Sequence, residues 1–570
     1  MASKYGYPIS RRRFLAASAA GGAALMAGGM STSVLAKSHR GPDEDQPWFE
    51  ASIPELQALM ASGALTSRAL TMAYLARIEA LNPTLHAVIQ TNPHAIGIAA
   101  RRDGERRAGR VRGSLHGIPI LLKDNIATDD LLETTAGSLA LVGSRVPRDA
   151  TVAARLRAAG AVILGKSNLS EWANFRGFVP QPVTDAGLFL NGWSGRGGFT
   201  RDPYVLSWDP CGSSSGSGVG PAVNLCAAAV GTETDGSVVC PAGNNGIVGL
   251  KPTLGLVAQD GIIPIAHSQD TAGPMGRSVT DVATMLNAMV SPFGEVAGQP
   301  LPDDYTVFLQ RGSLNGARIG VDRRLFSADY FADVSLNPLT EAALETMASL
   351  GATIIDPVDA PDPFLFSDAE FTVLLTEFKV DMAKYLSGLR HTSMRTLADL
   401  IAFNSAHCEQ EMKYFGQELF EIAEGTTGLG DQAYIDARAL CLDLTRTHGI
   451  DQVMADHNLD AIVAPIYSFG SSGPAVAGYP NISVPTGLTE DGRPGGIWMY
   501  AGFLQEPTLL AFAYDLEQEI GHRPQPGYLG SLPQLPPDAG FCAAPAATTH
   551  AAAGRADLHR HVGSRRPMHI

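Results

Sequence analysis

The first clear pattern in the chain is helical. Ser52-Ile-Pro-Glu55 predicts a capping box, with proline and glutamate in the first turn, and Ile53, Leu56, Leu59 and Met60 supply one apolar face. A second helix is expected from about Thr66, carrying Leu70, Tyr74, Leu75 and Ile78 and ending before Asn82-Pro83. The period then changes. Gly117-Ile-Pro-Ile-Leu-Leu122 is a continuous run of strand formers that stops at Lys123-Asp124, which places a lysine at a sheet margin. Asp149 can cap a helix running through Ala159, Gly160 can end it, and Ala161-Val-Ile-Leu164 reads as the next buried strand. Helix, tight turn and buried strand in succession indicate an α/β sheet.

Residues 176–220 are rich in Gly, Ser and Pro and read as ordered loop, and Val219–Val230 is apolar enough for a buried helix or strand. Longer amphipathic patterns within 305–450, such as 338–350 and 430–455, are assigned to a peripheral helical layer. Leu459–Pro465 and Pro480–Pro485 return as late strands. The expected fold class is therefore α/β: one main domain over 51–535 with a large central mixed β-sheet and helices on both faces. The tail, 536–570, is rich in Ala, Pro, His and Arg without apolar period and is expected to be disordered, its four histidines included.

Composition narrows the function. Apolar residues make up 45% and charged residues 17% of the 570, as in a globular enzyme, and the net charge of −15 argues against a nucleic acid partner. Residues 1–36, with Ser10-Arg-Arg-Arg-Phe-Leu15 ahead of a mild apolar run, resemble a twin-arginine export signal, and 37–50 form a polar linker. That run is short of the roughly 20 residues a bilayer requires, so a periplasmic or secreted enzyme without a stable membrane anchor is expected after cleavage. The six cysteines show neither metal-type pairing nor the density of a disulfide scaffold, and buried free thiols are the expectation.

The candidate chemistry lies in Lys123, in Ser213 of Cys211-Gly-Ser-Ser-Ser-Gly216, and in Ser237 of Gly231-Thr-Glu-Thr-Asp-Gly-Ser237. No histidine occurs between His116 and His267, so no local Ser/His pairing is available, and those two histidines read as bystanders. Gly212–Gly216 formally matches a nucleophile elbow centred on Ser214, but the proline of Ser207-Trp-Asp-Pro-Cys211 stands where a strand is needed. A phosphate loop lacks its G-x-x-x-x-G-K-[ST] pattern. Turn residues without chemistry are the remaining bland alternative.

Across residues 50–530, and most densely from Gly117 to Asp281, the sequence resembles the amidase signature family of serine hydrolases. Ser213 and Ser237 stand 24 positions apart, the family's spacing between its Ser/Gly loop and its nucleophile turn, and Gly246-Ile-Val-Gly-Leu-Lys-Pro-Thr253 follows in order. The resemblance implies Ser237 as nucleophile, Lys123 as general base and Ser213 as the proton bridge. It further implies an oxyanion hole from the backbone N–H groups of Thr234, Asp235 and Gly236, with no metal and no cofactor. Departures at Cys211, Ser215, Glu233 and Asp235, with Asn191-Gly-Trp-Ser-Gly-Arg-Gly-Gly198 and Ser268-Gln-Asp-Thr-Ala-Gly-Pro-Met275, resemble the peptide amidase branch. That branch releases ammonia from C-terminal peptide amides. Ser138, Ser214, Arg196 and Asp235 are the candidate substrate contacts, with Arg176 beside them.

The chemistry makes two demands. A free lysine is charged near neutrality, so burial must lower its pKa; lowering it by about 3 pH costs about 4 kcal/mol. Asp124, its neighbour, must also point elsewhere. A small or short peptide amide is the expected substrate. A broad aryl or aliphatic amidase or esterase is the alternative within the fold. A non-catalytic binding protein and a transamidating subunit are the alternatives outside it.

Overall fold

The computed structural model describes residues 45–178, 190–290, 295–521 and 523–542. The export-signal reading, Lys37 to Glu44 of the linker, part of the 176–220 loop and the histidine-bearing end of the tail lie outside them.

Helix α1 (Ile53–Ser62) starts at the expected capping box: Ser52 N donates to Glu55 Oε2 at 2.8 Å, and Glu55 N donates to Ser52 Oγ at 3.4 Å. Its stripe of Ile53, Leu56 and Met60 is buried, each side chain contributing about 1.5–3 kcal/mol by leaving water. Helix α2 (Ser67–Leu85) begins after Thr66 but runs through Pro83 instead of stopping before it. The chain turns only at His86, in the left-handed region, where Asn82 brackets Val88 with two bonds of 2.8 Å. Helix α3 (Thr151–Ala158) is not capped by Asp149, whose carboxylate accepts from Asp129 N and pairs with Arg157.

Eleven strands form one mixed sheet: β1 (Val88–Thr91), β2 (Pro119–Lys123), β3 (Val162–Ser167), β4 (Ala228–Glu233), β5 (Val248–Lys251), β6 (Thr271–Gly276), β7 (Arg318–Val321), β8 (Thr353–Ile355), β9 (Ala461–Pro465), β10 (Asn481–Leu488) and β11 (Pro494–Tyr500). Their spatial order is β1-β3-β2-β4-β6-β5-β10-β11-β9-β7-β8. Strands β3, β2 and β4 run parallel, β4 pairs antiparallel with β6, and β7 pairs parallel with both β8 and β9. Two corrections follow for the region read as a peripheral helical layer: β7 and β8 belong to the sheet edge. They are three or four residues long and sit beside amphipathic helices, whose stronger period masks them. Strand β11 carries no clear strand signal in the sequence, because Pro494-Gly-Gly looks like a turn. No helix among the described residues is long and apolar enough to cross a membrane.

The expectation of free thiols is overturned. Cys211 bonds Cys240 and Cys408 bonds Cys542, leaving Cys226 and Cys441 as buried thiols. Tertiary contact, not spacing, creates both pairs: Cys211 and Cys240 are 29 residues apart in sequence yet 5.9 Å apart at Cα. The second bridge, with Ala539 N donating to Lys413 O at 2.8 Å, pins the described start of the tail to the helical layer.

Candidate active site

Strand β2 delivers Lys123 to the interior of the sheet, third from the β1 edge. Its run Ile120-Leu121-Leu122 is buried, pairs with β3 on one side and β4 on the other, and ends with the lysine fully enclosed. Lys123 Nζ lies 2.7 Å from Ser213 Oγ, 2.9 Å from Thr232 Oγ1 and 3.1 Å from the Thr232 carbonyl. Asn125 Nδ2 donates to the same threonine hydroxyl at 2.9 Å, fixing it. Burial pulls the lysine pKa from 10.5 down to about 7, against the opposing pull of Asp270 and Glu233. Lys166 and Lys251 are equally enclosed and stand at about 8; Lys123 is distinguished by the serine it faces.

The demand on Asp124 is met. Its carboxylate accepts from Thr135 Oγ1 and from the backbone N–H groups of Thr135 and Gly137, both at 3.2 Å, and lies 3.6 Å from Arg196 Nη1. It points into the 134–137 loop and is engaged there.

Ser213 is fully buried and follows a cis peptide bond from Gly212. A side chain at Gly212 would collide with Ser170 Oγ at 2.4 Å, so only glycine lets the loop run this close to its neighbours. Helix α4 (Ser215–Ala222) opens immediately afterwards. Ser214 is spent on structure: its hydroxyl donates to the Thr232 carbonyl at 3.0 Å and accepts from Thr232 N at 3.2 Å, lacing the loop to β4. Its backbone N–H donates to the Ser237 carbonyl at 3.3 Å. The Cys211–Cys240 bridge joins the same two segments a second time.

Ser237 stands between β4 and helix α5 (Val239–Asn244). Glu233 shapes this turn by accepting from Val238 N at 2.7 Å and Val239 N at 3.0 Å. Gly236 has φ of +79°, a conformation suited to glycine. Ser237 Oγ is buried and has no hydrogen-bond partner among the described residues. The structure thus brings Lys123 and Ser213 into contact and ties Ser237 to them through the backbone, without closing a Ser213–Ser237 hydroxyl bond. Thr234, Asp235 and Gly236 form the bend just before Ser237. Thr234 Oγ1 donates to Asp270 Oδ1 at 2.6 Å, and Asp235 Oδ1 accepts from Ser471 Oγ at 2.7 Å. A cavity of about 510 Å³ opens beside this bend, walled by Thr232, Thr234, Ile263, Ile265 and Tyr385.

The other candidates are engaged elsewhere. Ser138 caps a short turn through Ala140 N and reaches Glu411 at 3.3 Å. Arg196 donates to Glu133 at 2.5 Å and Gln90 at 3.1 Å. Arg176 is fully buried against Glu171 and Glu411, with its guanidinium 4.0 Å from the Phe415 ring centre. His116 meets the Arg102 carbonyl through Nε2, accepts from Arg112 N at Nδ1 and lies near Glu105, and His267 pairs with Asp381 at 2.7 Å on the rim of the cavity. Sequence reasoning missed Thr232, which holds the lysine. The signal was present: it lies two residues beyond Val230 on a strand of period two.

A family model described as Amidase matches residues 69–510. A probable amidase of Arabidopsis thaliana is 40% identical over 494 residues, covering 84% of this chain and 92% of that protein. The solved peptide amidase of Stenotrophomonas maltophilia is 47% identical with a TM-score of 0.78, covering 84% of this chain and 99% of that one. A peptide amidase bound to the competitive inhibitor chymostatin is 46% identical with a TM-score of 0.77, covering 84% of this chain and 100% of that one.

Proposed function

Because the chain belongs to the amidase signature family, is most like its peptide amidase branch and is an enzyme acting on amide bonds, we propose that it hydrolyses C-terminal amides of short peptides through an acyl-Ser237 intermediate. The observation that carries this reading is the 2.7 Å contact between an enclosed Lys123 amine and Ser213. A neutral amine has two N–H donors and one lone pair. Thr232 offers two acceptors to Nζ, at 2.9 and 3.1 Å, and these consume both donors. The lone pair is left for the Ser213 hydroxyl, so the amine is oriented as a base.

Ser237 Oγ attacks the amide carbon as its proton passes to Ser213 Oγ and the Ser213 proton passes to Lys123 Nζ. Ser213 gains one proton as it loses another and stays neutral throughout. The oxyanion faces the backbone N–H groups at Thr234, Asp235 and Gly236, where one well-placed donor is worth about 3–4 kcal/mol. Collapse breaks the C–N bond, and the proton returns along the same path to the departing nitrogen, which leaves as ammonia. Water then attacks the ester by the same relay, releasing the carboxylate and restoring Ser237. The apolar wall of the neighbouring cavity offers room for the substrate chain.

The test is ammonia release from a panel of peptide amides and simple aryl amides, with Ser237→Ala alongside. Release from peptide amides that vanishes in the variant is expected. Activity on simple amides alone would move the assignment to a broad amidase, and activity persisting in Ser237→Ala would remove the nucleophile.

A further inference from the structure

Two acidic side chains stand at the nucleophile turn and serve neither the lysine nor the backbone. Asp235, two residues before Ser237, is half-buried and accepts from the hydroxyls of Ser471 and Ser472. Glu370, on helix α6 (Pro363–Ser387), is buried and accepts from Gln269 Nε2 at 2.9 Å. The same Nε2 reaches the Thr234 carbonyl at 3.4 Å, so Gln269 spans from the residue beside Asp235 to Glu370. Gln269 is 1% exposed, and its Oε1 has no hydrogen-bond partner. No ion pair among the described residues engages Asp235 or Glu370, although the molecule pairs other buried carboxylates with arginine.

Buried acceptors without donors are costly, each unsatisfied one by about 1–3 kcal/mol, and more where charge is involved. Gln269 Oε1 is such an acceptor, and it belongs to the side chain that spans from the bend of Asp235 to Glu370, two carboxylates with no ion pair among the described residues, so a positively charged donor suits the place. We propose that Asp235, Glu370 and the free Gln269 carbonyl form a subsite that receives an ammonium or guanidinium group of the amide substrate. This rests on the amidase reading of Ser237 and refines its substrate class. With the subsite empty, burial and the neighbouring Asp235 charge push the Glu370 carboxyl up to about 8, so it holds its proton at neutrality and limits the repulsion. An arriving cation displaces that proton and pairs with both carboxylates. Asp235 borders the oxyanion bend, so the cation must lie within one residue of the scissile carbonyl. Two groups meet that condition: a basic side chain on the amidated residue, or the free α-ammonium of an amino acid amide.

The experiment compares kcat/KM at pH 6.5 for three amides: N-acetyl-leucinamide, neutral; N-acetyl-lysinamide, charged on its side chain; and leucinamide, charged on its α-amine. At least one charged amide should exceed the neutral one by about tenfold or more, the worth of one charge-assisted hydrogen bond. Preference for the blocked lysinamide identifies the side chain, and preference for leucinamide identifies the α-ammonium. In Glu370→Gln the charged-to-neutral ratio should collapse towards one. In the wild type, n-butylammonium should compete with the charged amide, which keeps the proposal testable if the variant does not fold. A ratio near one in the wild type, a ratio unmoved by Glu370→Gln, or no competition by butylammonium overturns the subsite while leaving the amidase reading intact. If none of the three amides is hydrolysed in a Ser237-dependent way, the reading beneath falls as well.

Discussion

The enclosed lysine makes the pH dependence of acylation calculable. At pH 7 a lysine titrating at its ordinary 10.5 is neutral about once in 3,000 molecules, whereas one titrating at about 7 is neutral in half of them. Enclosure therefore raises the supply of base at pH 7 by about 1,500-fold, and the gap between 10.5 and about 7 corresponds to about 5 kcal/mol of desolvation. Below pH 7, kcat/KM for a neutral N-acetyl amino acid amide, followed by ammonia release, should fall tenfold per pH, reaching about 1% of its plateau at pH 5. Above pH 7 it should level off. Asp270 opposes the lowering of the lysine, so Asp270→Asn should move the rise to lower pH. Lys123→Ala should lower the plateau by about 10²–10⁴, the usual worth of a general base. The same proton leaves a thermodynamic mark. Because the folded state disfavours the charged amine, the penalty is complete below pH 7 and is relieved as pH climbs to 10.5. The stability advantage of Lys123→Met should therefore shrink by about 1.4 kcal/mol per pH across that window. A rate that is flat from pH 5 to 8, a midpoint near 10, or an unchanged profile in Lys123→Ala would refute the reasoning.

Breaking the Cys211–Cys240 bridge by Cys240→Ser should cost about 3–4 kcal/mol from the entropy of a 29-residue loop. It should also lower kcat, since the bridge joins the Ser213 loop to the Ser237 turn; thermal unfolding and ammonia release check the two effects separately. Arg176→Met strands the enclosed carboxylates of Glu171 and Glu411, and unfolding measurements should show a loss of about 3–5 kcal/mol. A smaller loss would mean that the pair carries little charge in the folded state.

What was legible in the sequence was what is local. The β2 run and its terminal lysine, the Ser/Gly loop and the nucleophile turn each carry their signal within a few residues, and the fixed interval between the serines linked two of them. The need for Asp124 to turn aside followed from charge alone, and its bonds to Thr135 and Gly137 answer it. What was illegible depends on folding. Enclosure does not distinguish Lys123 from Lys166 or Lys251, since all three are deeply buried; only the juxtaposition with Ser213 does. Glu370 reaches the site from a helix more than 130 residues downstream, on a polar position that looks like any solvated one. The cysteine pairs arise where distant loops cross, and the short edge strands β7 and β8 hold too few residues to express a period. Pro83 reads as a stop, but only its own N–H is lost, and the surrounding helix α2 continues for two more residues.

Strands β2 and β4 lie side by side in the interior of the sheet, with Leu122 opposite Val230, and the lysine and its threonine clamp extend from that pair. Amide protons there can exchange with solvent only when strands on both sides separate, which amounts to opening the whole molecule. The site is consequently among the last parts of the protein to lose order. As temperature rises, function should end together with the fold and not before it, so residual turnover reports the fraction of intact molecules.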